Sequence, residues 1–450
     1  MIKELKRMYI KYLSILLMYL SCFTIWLCIP AFAEQNQRTY ESAEPATSDI
    51  ESITQIILIG SELTLEQAVT AALEYNPDLN ISKINTRLAE AEKLQSSLFP
   101  NPELEFEYEN FDEPEKTLTI GYLIELGGKR NHRMKIANAG LALTTVEFDA
   151  ARVEVIYETA AAFIDVLVAR ENLRITNDKE KLADQVYTTA RERVLAGRVP
   201  PMEQVTAEIK RSNTRLEVQK AKDELIIART NLSAMWASSS ADFQVAGENF
   251  DCIQSIPPFE ALTAAMEDSP IIKAKHSEIK VAETSLDLEN RNRIPDLFLS
   301  GGIKKTEESD DPTYIVGLSL PIPLFDRNQA GVARAVAELD QQAAALSAEK
   351  ISLFRDLTIA YQTLKTAHQQ VCVIKSDILP SAQSVLEAVK EGYREGEFSF
   401  LDMLEAQSTL YESHESYVQS LGQYHIAVID LEKILGKDLS EINYRKTIGQ

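Results

Sequence analysis

Phe99-Pro100-Asn101-Pro102-Glu103-Leu104-Glu105-Phe106-Glu107-Tyr108-Glu109 is the stretch on which the fold turns. From Glu103 onward apolar and acidic residues alternate without a fault, and a period of two belongs to a half-buried strand. Pro100 and Pro102 stop the helical pattern that precedes it. The alternation predicts a strand over residues 103–111. A second strand follows an acidic loop at 112–116, with Leu118, Ile120, Tyr122, Ile124 and Leu126 set against Thr119, Gly121 and Glu125. Residues 297–303 and 314–322 repeat the pair around a loop at 306–313. Strands of about 10 residues, apolar on one side and acidic on the other, suit a membrane barrel with lipid outside and water inside.

Outward from the strands the periodicity changes to that of helices. Residues 65–75 and 77–98 form two helices, the first with Thr64 as N-cap and Gln67 completing a capping box. After the strands, Ile136, Ala139, Leu143, Val146, Ala150, Val153, Tyr157, Ala160, Ile164 and Leu167 step by three and four. In the second half the same stepping runs from Val332 through Leu339, Leu353, Leu364 and Val371 to Ile378, with Lys350 as its one polar member. A mean period of 3.5 is that of a left-handed coiled coil. Residues 130–195 as one helix would be roughly 100 Å long. Gly197, Pro200 and Pro201 turn the chain into a return helix ending near Trp236; Gly396 and the run to Phe400 do the same before Leu435.

The landmarks recur in order. Asn76-Pro77 matches Ser269-Pro270, Arg130-Asn131 matches Arg327-Asn328, and Gly197 matches Gly396, at offsets drifting only from 193 to 199. The expected organisation is a tandem duplication: 62–236 and 258–436, a linker at 237–257 and a tail at 437–450. Residues 1–33 read as a secretory signal, with a basic start, an apolar run to Pro30 and Ala31-Phe32-Ala33 before Glu34; 34–61 read as a flexible leader. A membrane anchor, or a lipid on Cys22, is the alternative for that segment.

The chain has 450 residues, with 16 Gly and 16 Pro, and a net charge of −22, or −25 without residues 1–33. So few turn formers fit long uninterrupted elements. The acidity excludes a nucleic-acid partner. Cys252 and Cys372 stand 120 residues apart and are expected as two buried free thiols. Five histidines show no ligand spacing, and no phosphate loop, nucleophile elbow or Cys/His pair occurs, so no metal, cofactor or catalysis is expected. The fold class is mainly α with a small β part. Four strands per chain cannot close a barrel, and the long helices have too little of their own chain to bury against. Oligomerisation would supply both.

Leu63-Thr64-Leu65-Glu66-Gln67-Ala68, Asn76-Pro77, the run 99–104, Glu125-Leu126-Gly127-Gly128-Lys129-Arg130 and Pro321-Ile322-Pro323-Leu324-Phe325-Asp326-Arg327-Asn328-Gln329 resemble a TolC-type outer-membrane factor, and its CzcC branch in particular. The resemblance spans nearly all of the chain after residue 33. It implies a homotrimer with a twelve-stranded outer-membrane barrel and a periplasmic α-helical tunnel. It also implies docking to a periplasmic adaptor, which links the duct to an inner-membrane resistance-nodulation-division pump. The branch implies export of heavy-metal cations; multidrug efflux and type I secretion are alternatives within the fold, and a non-porous periplasmic coiled-coil scaffold is one outside it.

By the same resemblance Asp402 and Glu405 fall where two acids ring the narrowest part of the tunnel. Their spacing of three puts them on one helix face, and six carboxylates around one axis would attract cations. Acids favoured by the helix dipole are the plainer account. Tyr393 and Glu203 fall on a gate network whose arginine is replaced here by Phe398, leaving Arg394, or packing by Phe398 and Phe400, to close it. Val194, Leu195, Gly197, Val199, Pro200, Gly396, Phe398 and Leu401 surround the tips expected to dock the adaptor. Lys129, Arg130 and Arg133 are expected to mark the membrane border, with lipid phosphate as the alternative partner.

Overall fold

The computed structural model describes residues 62–109, 115–241, 243–246, 250–306 and 311–439. The expected signal, the leader, most of the tail and the centres of both strand-to-strand loops lie outside the described residues. The order of elements is α1 (Leu65–Tyr75), α2 (Pro77–Ser96), β1 (Glu103–Glu109), β2 (Glu115–Ile124), α3 (Lys129–Leu195), α4 (Pro201–Ala234), then α5 (Phe259–Met266), α6 (Pro270–Asn292), β3 (Leu297–Thr306), β4 (Thr313–Ser319), α7 (Gln329–Val373), a π-helical turn (Ile374–Ile378), α8 (Leu379–Glu395) and α9 (Phe400–Leu435). Helix–helix–strand–strand–helix–helix thus occurs twice.

Local chemistry repeats as well. Thr64 and Gln67 exchange backbone N–H bonds in a capping box at α1. Asn76 Oδ1 accepts the N–H groups of Asp78 and Leu79 at 2.9 and 3.0 Å, while its amide donates to Met235 O at 3.0 Å. Ser269 does the corresponding work at α6, accepting from Ile271 N–H and donating to Ile434 O at 2.8 Å. Each capping residue also ties its helix start to the end of its return helix, and each is buried, at 7% and 0% exposure. Such caps satisfy donors that the helix itself cannot.

The four strands form one antiparallel sheet in the order β1-β2-β3-β4. The register makes the alternation two-dimensional. Rows such as Leu104–Ile120–Gly301–Val316 and Phe106–Leu118–Ile303–Tyr314 lie on one face, and Glu105–Thr119–Gly302–Ile315 and Glu107–Thr117–Lys304–Thr313 on the other. Leu104, Phe106, Ile120, Tyr314 and Val316 are all exposed. The outer edges of β1 and β4 have no strand partner among the described residues. Boundaries move slightly: Glu115 and Lys116 belong to β2 rather than to a loop, Thr306 and Thr313 belong to strands, and β4 ends at Ser319 ahead of Pro321.

The helix α3 is continuous over 67 residues, about 100 Å at 1.5 Å per residue. In the second half the expected unbroken seam is corrected. Leu353, Leu357, Ala360, Leu364, Ala367, Val371 and Ile374 are buried on schedule, but Ile378 is exposed. The π turn accommodates one extra residue just ahead of Pro380, whose ring and missing N–H disfavour an ordinary helical turn there. The buried stripe therefore resumes one position late, at Ala382, Leu386, Val389 and Tyr393, and Val385 faces out.

Packing unites the halves. Lys179 of α3 reaches Glu217 of α4 at 2.8 Å and Glu415 of α9 at 3.5 Å, and Lys433 of α9 reaches Glu154 of α3 at 2.7 Å. The expected linker is built into the protein: Leu63 pairs with Val245 in a parallel bridge, and Phe243, Val245 and Ala246 are buried. Phe250 stacks on His425 at 5.6 Å and its carbonyl lies 2.8 Å from His425 Nε2. The tail begins ordered, with Leu439 buried and Lys437 paired to Asp268 at 3.0 Å. Among the described residues Cys252 and Cys372 are free, as expected, but Cys252 is exposed and Cys372 half-buried; Cys252 lies in the segment that skirts α9 rather than in a helix seam.

Candidate functional site at the helical tips

Both hairpins turn on a glycine in the left-handed region, Gly197 at φ +65° and Gly396 at φ +88°. Any side chain would be strained there. Around the first turn Leu195, Gly197 and Pro200 are exposed and Val194 and Val199 half-buried. Around the second, Gly396, Phe398 and Leu401 are exposed. Met202 and Val205, on the first turn of α4, are exposed beside them and extend the apolar surface.

Beneath this surface Val186 and Ala190 of α3, Ala207 of α4, Leu386, Val389 and Tyr393 of α8 and Phe400, Met403 and Leu410 of α9 form one buried cluster. It locks the second tip onto the first. Gly392 is needed inside it: a Cβ there would collide with the Phe398 ring. Phe400 packs against Tyr393, ring centres 6.2 Å apart. The Tyr393 hydroxyl and Glu203 Oε2 are both buried without a hydrogen-bond partner. Burial raises the Tyr393 hydroxyl pKa, opposed by the nearby Arg193 guanidinium.

Arg193 is the cation that sequence reasoning missed. Its guanidinium lies over the Tyr393 ring at 4.3 Å. Arg394, expected in that place, instead pairs with Glu391 at 3.1 Å on its own helix, with both side chains 64% exposed. The reason is geometric: Tyr393 lies on the buried stripe after the π turn, so its neighbour Arg394 points about 100° away, into solvent.

Asp402 and Glu405 both lie on the exposed side of α9. Asp402 also closes a capping box: its Oδ2 accepts the Ser399 N–H at 2.8 Å, and its own N–H donates to Ser399 Oγ at 3.2 Å. Those bonds hold its carboxyl below the usual range. The carboxylate is thus charged and fixed at the helix start, while Glu405 lies exposed one turn on.

The basic cluster at the sheet–helix border is used internally. Lys129 pairs with Asp296 at 2.8 Å, Arg133 with Glu125, and Arg130 donates to Ser97 O at 2.6 Å while stacking on Phe99 at 4.1 Å. Among the described residues no three His, Cys, Asp or Glu side chains gather as metal ligands, and no helix is long and apolar enough to cross a membrane.

The sequence profile described as outer membrane efflux protein matches this chain twice, over residues 64–238 and 261–437. The cobalt-zinc-cadmium resistance protein CzcC of Cupriavidus metallidurans is 30% identical over 377 residues, 83% of this chain and 90% of that protein. The nickel-cobalt-cadmium resistance protein NccC of Alcaligenes xylosoxydans is 27% identical, over 60% of this chain and 62% of its own length. A crystal structure of CusC superposes with a TM-score of 0.71 at 18% identity, covering 83% of this chain and 92% of that one.

Proposed function

The chain belongs to the outer membrane efflux protein family, and from that footing we propose that three copies form the exit duct of a tripartite pump for heavy-metal cations. The observation that carries the reading is the sheet. One face is apolar and bare, the other bears Glu103, Glu105, Glu107 and Glu109 in a column, and neither edge is paired among the described residues. A sheet of that kind is completed by copies of itself, and four strands in each of three copies make a barrel of twelve with lipid outside and carboxylates within. The likeness to CzcC and NccC supports cobalt, zinc, cadmium or nickel as the cargo. The doubled order of helices and strands supports a tandem duplication, 62–236 with 258–436.

The tips serve two tasks in this reading. The exposed apolar surface from Leu195 to Met202 and at Phe398 and Leu401 docks a periplasmic adaptor, through which the duct meets an inner-membrane resistance-nodulation-division pump. Asp402 and Glu405 face the axis and set the last electrostatic filter, with Tyr393, Glu203 and Arg193 holding each protomer's two hairpins together. The energy of export comes from the pump; the duct supplies a path.

Planar-bilayer recording with metal-resistance assays tests the proposal. Purified chain should form a cation-selective pore that multivalent cations block, and Asp402→Ala with Glu405→Ala should weaken that block. Deletion of the chain should sensitise cells to divalent metals more than to drugs. A folded oligomer without conductance would sink the duct, and a drug-only phenotype would replace its cargo.

A further inference from the structure

Two segments leave the same end of the sheet from its opposite edges. One precedes β1 and carries Leu98 and Phe99; the other follows β4 and carries Ile322, Leu324 and Phe325. Both present bare apolar side chains: Phe325 is 91% and Phe99 64% exposed. Neither is loosely held. In the loop after β4, Leu324 N–H donates to Ile322 O at 2.9 Å, Gln329 Nε2 to Phe325 O at 3.0 Å and Asn328 Nδ2 to Glu289 O at 2.8 Å. At the other edge the Arg130 guanidinium stacks on Phe99 at 4.1 Å and donates to Ser97 O at 2.6 Å. A cleft of about 540 Å³ lies beside the loop, walled by Asn292, Arg293 and Pro295, and one of about 290 Å³ lies beside Phe99, walled by Pro100, Leu123 and Arg130.

Apolar side chains that the backbone fixes in the open are preorganised for a partner, because little further ordering is lost on contact. The partner is identified by the edges. If β4 of one copy pairs with β1 of the next, as the proposed assembly requires, the loop after β4 arrives at the height of the neighbour's Phe99. We propose that these segments form a collar lock between copies of this chain, Phe325 and Ile322 of one copy packing on Phe99 and Leu98 of the next. The inference rests on the trimeric reading and adds the contact that sets which edges meet. It gives one role to two sequence runs, 99–104 and 321–329, that the duct itself leaves unexplained. Lipid is the less favoured occupant, since the loop continues from a strand edge that no strand among the described residues pairs.

The test uses the full chain in detergent and in membranes, with Cys22, Cys28, Cys252 and Cys372 changed to Ser. Phe325→Cys and Ile322→Cys are each combined with Phe99→Cys and Leu98→Cys and treated with a short bis-maleimide, while native mass spectrometry reports the assembly. The expected result is a ladder of covalent dimers and trimers from at least one double variant and none from any single one. Phe325→Asp should lose the trimer with helix content by circular dichroism unchanged. Trimers that never cross-link, with Phe325→Cys labelled by a lipid-soluble maleimide, would overturn the lock and leave the trimer standing. Cross-linking by single variants, or a Phe325→Asp trimer as persistent as the parent, would also overturn it. A chain that stays monomeric throughout would remove both the lock and the assembly.

Discussion

Six residues past each tip glycine stands an acid, Glu203 after Gly197 and Asp402 after Gly396, and the two are used in opposite ways. The first return helix starts on Pro200-Pro201, with no side-chain cap, so nothing local claims Glu203 and its carboxylate turns inward, towards Tyr393. The second starts on Ser399, whose backbone and hydroxyl claim Asp402 for a capping box and hold it at the exposed surface. The residue before each helix therefore decides whether its acid serves the hairpin interior or the outer face. The arms differ in the same spirit. The arm leading to the first tip is one helix, whereas the second is broken by a π turn that rotates everything beyond it, Tyr393 included.

Most of this was legible along the chain. The strands, the long helices, the two tips and the order of elements follow from periods of 2 and 3.5 with glycine and proline as punctuation. The π turn had a signal, Pro380, which the apolar spacing to Ile378 concealed, because Ile378 continues that spacing although the phase has already slipped and left it exposed. Arg193 had none. Its contact with Tyr393 spans 200 residues and joins different hairpins, and no local pattern encodes which arginine will meet which ring. The exposed position of Asp402 was legible from the Ser-x-x-Asp spacing, whereas what Glu203 faces depends on how the hairpins dock.

The sharpest way to break the contrast between the arms is to remove the phase slip. Deleting Ser376 should let α7 run on as an ordinary helix with Leu386, Val389 and Tyr393 still in the tip cluster, whereas inserting one Ala after Ser376 should turn all that follows by about 100° and carry those three side chains out of it. Each large side chain driven from burial costs about 1.5–3 kcal/mol, so the loss is of order 5 kcal/mol. Urea unfolding followed by circular dichroism should show it, with trypsin cutting early at Lys390 and Arg394. An insertion variant as stable as the parent would mean that the phase set by the turn is not what seats the second tip.

A smaller effect is expected where the return helices differ in buried chemistry. One residue after Leu232 stands Ser233, and one after its counterpart Leu431 stands Glu432. Burial pushes the Glu432 carboxyl up to about 7, with Asp438 beside it, although it accepts Leu439 N–H at 3.0 Å. The native state then holds a proton that the unfolded chain has already released, so this group lowers stability as pH rises from about 4.5 to about 7. Glu432→Gln should leave stability unchanged near pH 4 and add up to ~3 kcal/mol above pH 8. Unfolding free energies at the two pH values check the sign; a gain of equal size at both would rule out titration as the cause.

The tips themselves supply the finest test. Ser399→Ala removes the capping bond and should cost ~1 kcal/mol, with no comparable hydroxyl to lose at Pro200. The part of the cap that needs the Asp402 charge is present above the ordinary carboxyl pKa and is lost as pH falls through the lowered one. Arg193→Ala and Arg394→Ala then separate the two arginines. The cation over Tyr393 is partly sheltered, where such contacts are worth ~0.5–2 kcal/mol, so Arg193→Ala should loosen the hairpins and raise single-channel conductance or open probability. The Arg394–Glu391 pair is exposed and one turn apart on a single helix, where a pair contributes ~0.2–0.5 kcal/mol, so Arg394→Ala should leave the conductance where it was. The opposite ranking, with Arg394→Ala opening the pore and Arg193→Ala silent, would place the closing cation in contact with a neighbouring copy rather than with its own Tyr393.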